Sequence, residues 1–125
     1  MTELIKAYQL FWEEAGIPAY PGNNVPNDAE MPFITYAYAA ADFAEHTILQ
    51  SFLWTKAKGS ISELARLTGK VFEMIPAKTG RVLLLEGGKG AVSLFRGAPW
   101  MQDYPQEDKD VKSNYFVVEV ATYIN

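Results

Sequence analysis

Apolar and polar positions alternate most regularly over residues 60–75, SISELARLTGKVFEMI. Ile61, Leu64, Ala65, Thr68 (through its methyl), Val71, Phe72 and Ile75 recur at helical period and define one apolar stripe. Ser60 and Glu63 have the spacing of a capping box, and Pro76 ends the run because it cannot extend a helix it does not begin. A second helical stripe, Leu4, Tyr8, Phe11, Trp12 and Ala15, starts from a Thr2 cap and stops at Gly16, with Ile17 and Pro18 beyond.

The other periodic segments read as strands. After a loop over 19–31 rich in Pro, Asn and Gly, residues 33–40 alternate Phe33, Thr35 and Ala37 with Ile34, Tyr36 and Tyr38. A turn near 41–45 leads to residues 46–56, where Ile48, Gln50, Phe52 and Trp54 share one face and Leu49, Ser51, Leu53 and Thr55 the other. Both faces are partly apolar, which predicts a central strand or one covered on both sides. Residues 81–86 and 90–96 form a hairpin around Gly87, Gly88 and Lys89. Residues 97–108 read as a second irregular stretch. Residues 111–124 form a long last strand, with Phe116, Val118, Val120 and Ile124 on one face and Tyr115, Val117, Ala121 and Tyr123 on the other. A strand this long with a free edge would pair readily with another chain. The order α-β-β-α-β-β-β predicts an α+β fold, a mainly antiparallel sheet with two helices packed on it.

The chain has 125 residues, which predicts one domain over 1–125; 49% of them are hydrophobic, enough for a core without metal or disulfide. There is no cysteine, so thiolate chemistry is excluded. The net charge of −4, with no basic run among aromatics, argues against sequence-specific nucleic-acid binding. Residues 1–15 carry Glu3, Lys6, Glu13 and Glu14 and lack the apolar core of a signal peptide. No apolar run reaches the ~18 residues of a membrane span.

Candidate chemistry is sparse. Gly87–Gly88–Lys89–Gly90 lacks the spacing and the following helix of a phosphate loop and reads as a hairpin turn. Thr68–Gly69–Lys70 lies inside a helical stripe, and Gly69 there predicts close approach of another backbone. His46 is the single histidine, with no partners at triad or zinc-site spacing. Glu107, Asp108 and Asp110, with Asp103 nearby, lack a calcium-loop pattern and read as a solvated or subunit-contacting loop. These residues predict no catalytic set, no cofactor and no metal. Trp100, Met101 and Tyr104, bracketed by Pro99 and Pro105, read as either a core plug or an interface patch, and Tyr20 in the early loop carries the same two readings.

Three stretches resemble the small tail-assembly proteins of long-tailed bacteriophages and prophages, the tail-terminator and head–tail joining (minor capsid or minor tail) group. They are FWEEAGIPAY followed by a Pro/Asn loop and MPFITY, the EHTILQSFLW strand leading to a helix, and the closing LFRGAPWMQDYPQEDKDVKSNYFVVEVATY. The resemblance implies a non-enzymatic virion protein, assembled in the bacterial cytoplasm. It would act as a ring, commonly a hexamer, docked to the tail tube or connector. It places Arg96–Gly97 and Gln106–Glu107–Asp108 where subunits or neighbouring rings meet. Trp100, Tyr104 and Tyr20 are the aromatic candidates for the same contacts, because large aromatics dominate interface energy once desolvated. Two alternatives are a small ligand- or nucleotide-binding domain using Lys89, Arg96 or the acidic loop, and a partner-binding domain that adds a strand along residues 111–124.

Overall fold

A computed structural model describes residues 2–22, 24–40, 45–56 and 61–125. Two helices, α1 (Thr2–Glu13) and α2 (Ile61–Phe72), pack on one face of a six-stranded sheet. The strands are β1 (Ala19–Pro21), β2 (Phe33–Tyr36), β3 (His46–Lys56), β4 (Arg81–Leu84), β5 (Gly90–Asp103) and β6 (Val111–Ile124). Their order is β1-β2-β3-β6-β5-β4, antiparallel throughout except for the parallel β1–β2 pair. The α+β class expected from the pattern holds, with one added strand.

That strand, β1, lies inside the segment read as loop. Three residues are too few to show a period. Pairing with β2 creates the strand: Ile34 N–H donates to Pro18 O at 2.8 Å and Gly22 N–H to Tyr36 O at 2.9 Å. The second irregular stretch is also largely strand. β5 continues through Gly97, Ala98 and Pro99 to Asp103, absorbing a register shift between Arg96 and Met101. Gly97 is required at that shift, since a Cβ there would lie 2.5 Å from Val117 Cγ1 and 2.7 Å from Val117 O. The β4–β5 turn is built as expected, with Gly87 and Gly88 at φ of 68° and 67°.

The sheet face toward the helices carries Leu49, Leu53, Ile34, Phe116, Val118, Leu94 and Val92, all buried. On α1, Leu4, Tyr8, Phe11 and Trp12 meet them. This helix touches both edges of the sheet. Gln9 Nε2 donates to Ala19 O on β1 at 2.9 Å, and Tyr36 OH donates to Gln9 Oε1. At the opposite edge Arg81 of β4 forms a two-bond ion pair with Glu14, and its guanidinium lies 5.2 Å from the Phe11 ring. A sheet held to one helix at both edges curls toward that helix, so its other face is convex.

On α2 the buried residues are Leu64, Leu67, Thr68 and Val71. Ile61 and Ala65, assigned to the buried stripe by periodicity, are exposed, and Leu67 takes their place. The helix is therefore rotated from the expected orientation. A buried bond from Asn114 Nδ2 on β6 to Thr68 Oγ1, 2.8 Å, holds it so. Ser60, and with it the capping box, lies outside the described residues, as does most of the turn near 41–45. The last strand, β6, has no free edge: β3 and β5 pair with it on either side. Strand addition along residues 111–124 is thereby ruled out for this fold.

Candidate functional site

Strand parity decides what the convex face presents. On β3, His46, Ile48, Gln50, Phe52 and Trp54 point away from the helices. Register places Tyr115, Val117 and Glu119 of β6 beside them, Phe33 and Thr35 of β2 on one flank, and Phe95 of β5 and Val82 and Leu84 of β4 on the other. Tyr104, from the β5–β6 connection, lies over part of this face.

Its two halves differ. Around the C-terminal part of β3 lies a continuous cluster of rings. Phe52 has Trp54, Tyr104 and Tyr115 with ring centroids at 5.8, 5.0 and 6.0 Å, and Tyr104 stands edge-on to Trp54 and Tyr115 at 6.1 and 5.9 Å. Tyr20 and Phe33 extend it at 5.8 Å from each other. Trp54 Nε1 donates to Thr35 Oγ1 at 2.9 Å, which fixes the indole in place. The other half is aliphatic, with Ile48, Val82 and Leu84 exposed at 70%, 58% and 80%. Within this half, between Ile48 on β3 and Val82 and Leu84 on β4, His46 Nδ1 and Glu119 Oε1 lie 2.5 Å apart, and the His46 ring stacks on Phe95 at 6.1 Å. That exposed pair is worth at most about 1 kcal/mol. A face of this kind offers area and shape to a partner.

The residues singled out from the sequence divide between this face and the interior. Tyr104 and Tyr20 both lie on the face, joined through Phe33 and Trp54. Trp100 is buried, packing on Phe116 at 5.1 Å and donating its Nε1–H to Phe72 O at 3.2 Å. Of its two readings, burial supports the core plug. Arg96 also points inward: Nε donates to Ile75 O at 2.6 Å and an Nη to Phe72 O at 2.9 Å, with the guanidinium 4.5 Å from the Phe72 ring. It caps the carbonyl end of α2, where a cation is favoured by the helix dipole. Its side chain is committed to the fold rather than offered to a neighbour. Glu107 and Asp108 stand exposed in the β5–β6 connection, where Asp108 Oδ1 accepts from the Asp110 N–H at 2.9 Å. No group of three or more His, Cys, Asp or Glu side chains placed to hold a metal occurs among the described residues.

A second apolar feature lies on the helix side. A groove of about 500 Å³ runs between the outer flank of α2 and the end of β5, lined by Ile61, Ala65, Gly69, Phe72 and Met101. Gly69 is not where another backbone approaches: no atom lies within 4 Å of where its Cβ would stand. The residue faces open groove. Sequence reasoning missed this groove and the face residues Phe33, Phe52, Trp54 and Tyr115. Phe52 and Trp54 share a face in the alternation of residues 46–56, and that alternation was the available signal.

No protein-family model matches this chain, and no curated protein matches it.

Proposed function

We propose that this chain is a virion structural protein of the bacteriophage tail or head–tail junction, of tail-terminator type, that works by assembling into a ring and docking to the tail tube or connector, without catalysis. The observation that carries the self-assembly part is the uncovered convex face. Ile48, Val82, Leu84, Phe95 and Tyr104 are exposed at 38–80% on this one face, and large apolar side chains left exposed together on one face commonly mark an interaction site. The half-buried rings of Tyr20, Phe33, Phe52, Trp54 and Tyr115 extend it toward the ~800 Å² per partner of a stable interface. The virion setting rests on the three sequence stretches that resemble tail-assembly proteins. The partners are further copies of the chain, commonly six, and the adjoining tail or connector proteins.

The test is native mass by light scattering over a wide concentration range, with negative-stain microscopy of the concentrated sample. Rings, with a hexamer as the leading species, support the reading. A monomer at every concentration and no rings in the microscope overturn it.

A further inference from the structure

We infer that two copies of the chain pair through their sheet edges, β4 of one running antiparallel to β4 of the other about a two-fold axis at Leu83. This contact is separate from the ring contact, since an isologous pair closes at two copies.

The two edges of the sheet are treated differently. At β1 the outward groups are largely taken. Ala19 O accepts from Gln9 Nε2 at 2.9 Å, Pro21 has no N–H, and Pro21 O accepts from the Asn24 N–H at 2.8 Å. At β4 they are open. Leu85 N–H donates to Gly90 O at 2.9 Å, so by alternation Arg81, Leu83 and Leu85 bond to β5, while Val82 and Leu84 direct N–H and C=O away from the sheet. No group among the described residues bonds to them, and their side chains are exposed at 58% and 80%. An apolar edge of this kind is a template for another strand.

The spacing selects a second copy as that strand. Val82 set opposite Leu84 of the other copy exchanges two bonds with it, and Leu84 does the same with Val82 of the other copy. Four bonds then satisfy every outward group of both strands, with the two Leu83 residues facing each other at the axis. On the convex side, the Val82 and Leu84 side chains meet across the strands. On the helix side, α1 runs along the edge. Lys6 bonds Glu86 beyond one end of β4, and Glu14 bonds Arg81 at the other. Leu10, on the same flank of α1 by its four-residue spacing and 55% exposed, therefore lies beside the middle of β4 and faces Leu10 of the other copy across the axis. The contact is small, so the pair is a transient one that forms at high concentration.

The test uses chains carrying Ile48→Lys, which puts a charge on the convex face and leaves β4 untouched. Far-UV circular dichroism establishes that each variant is folded. In sedimentation velocity this chain should show a species of twice the monomer mass at high concentration. Adding Val82→Glu with Leu84→Glu, or Val82→Lys with Leu84→Lys, sets like charges opposite each other and should weaken pairing about tenfold or more. An equimolar mixture of the acidic and basic chains sets Glu against Lys and should restore the doubled mass. Hydrogen exchange gives a second reading: the Val82 and Leu84 amides should exchange about tenfold slower or more at the concentration where the pair forms. A mixture that stays monomeric, or amides that exchange equally fast in a paired sample, overturns the edge pairing. An Ile48→Lys chain that never pairs, beside a wild type that forms rings, overturns the edge pairing and leaves the ring standing. Pairs without rings support the edge and overturn the ring.

Discussion

Replacing Arg96 by Met should destabilise the fold and leave the assembly contact alone. The guanidinium makes two bonds at the carbonyl end of α2, at 2.9 Å to O of Phe72, its last residue, and at 2.6 Å to Ile75 O just beyond it. A hydrogen bond from a charged donor is worth about 1.5–3 kcal/mol. The side chain is half-buried, so water partly replaces it and the lower end applies, about 1.5 kcal/mol per bond. Its contact with the Phe72 ring at 4.5 Å contributes about 0.5–1 kcal/mol. Met keeps much of the apolar packing of the arginine stem, which offsets part of this loss. The net expectation is about 3 kcal/mol, a large share of the 5–15 kcal/mol that holds a domain of this size folded. Urea unfolding followed by far-UV circular dichroism measures it. The midpoint should fall with the slope unchanged. Trp100→Phe supplies the partner experiment: it removes the bond from Nε1 to the same Phe72 carbonyl, 3.2 Å, worth about 1 kcal/mol, and adds the cost of the cavity left by the smaller ring. Because both donors share one acceptor, the double variant should deviate from additivity. If Arg96→Met changes stability by less than about 0.5 kcal/mol but lowers the native mass, the clamp assignment is wrong and Arg96 belongs to the interface.

Two further expectations follow from backbone fit and burial. Gly97→Ala should lose about 1–3 kcal/mol by overpacking, since its Cβ would stand 2.5 Å from Val117 Cγ1; a thermal melt within a degree of wild type would remove the argument for close approach there. Stability should also fall above pH 10. Burial pushes the Tyr8 phenol up to about 12, and burial together with the charge of Glu13 and the neighbouring Tyr38 does the same for Tyr36. Both are held neutral in the fold, so their contribution is complete below the unfolded value of 10 and is lost as pH rises through 12; for Tyr8 the full loss is about 3 kcal/mol. Urea midpoints that stay level from about pH 8 to pH 12 would contradict this, and Tyr8→Phe should flatten the curve in part.

How much of this was legible depended on whether the signal was local. The bounds of β3 and β6 stand in the alternation of residues 46–56 and 111–124, because each strand is long enough to show its period several times. Both helices carry apolar stripes, and α1 ends at Glu13, a turn before Gly16, whose φ is 75°. By contrast β1 exists only through its pairing with β2, a contact across the chain. The continuation of β5 is masked by Gly97 and Pro99, which read as breakers locally but are tolerated where the register shifts. Rotation of α2, with Leu67 in and Ile61 out, is set by the Asn114–Thr68 bond from a distant strand. The convex face was the least legible feature of all, since its side chains come from every strand and only the strand order brings Tyr20 and Tyr104 onto one surface. Arg96 and Trp100 sit beside Tyr104 in sequence, yet strand parity and the register shift turn them inward.

The central claim is that the convex sheet face becomes buried when copies assemble. Hydroxyl-radical footprinting, read by mass spectrometry at low and high protein concentration, tests it most directly. At high concentration Ile48, Leu84, Phe95 and Tyr104 should lose reactivity. Tyr38, exposed at 42% beside Tyr8 of α1 and away from that face, should keep its own. Equal oxidation of the four face residues at both concentrations, in a sample whose mass has increased, would place the contact elsewhere and contradict the account.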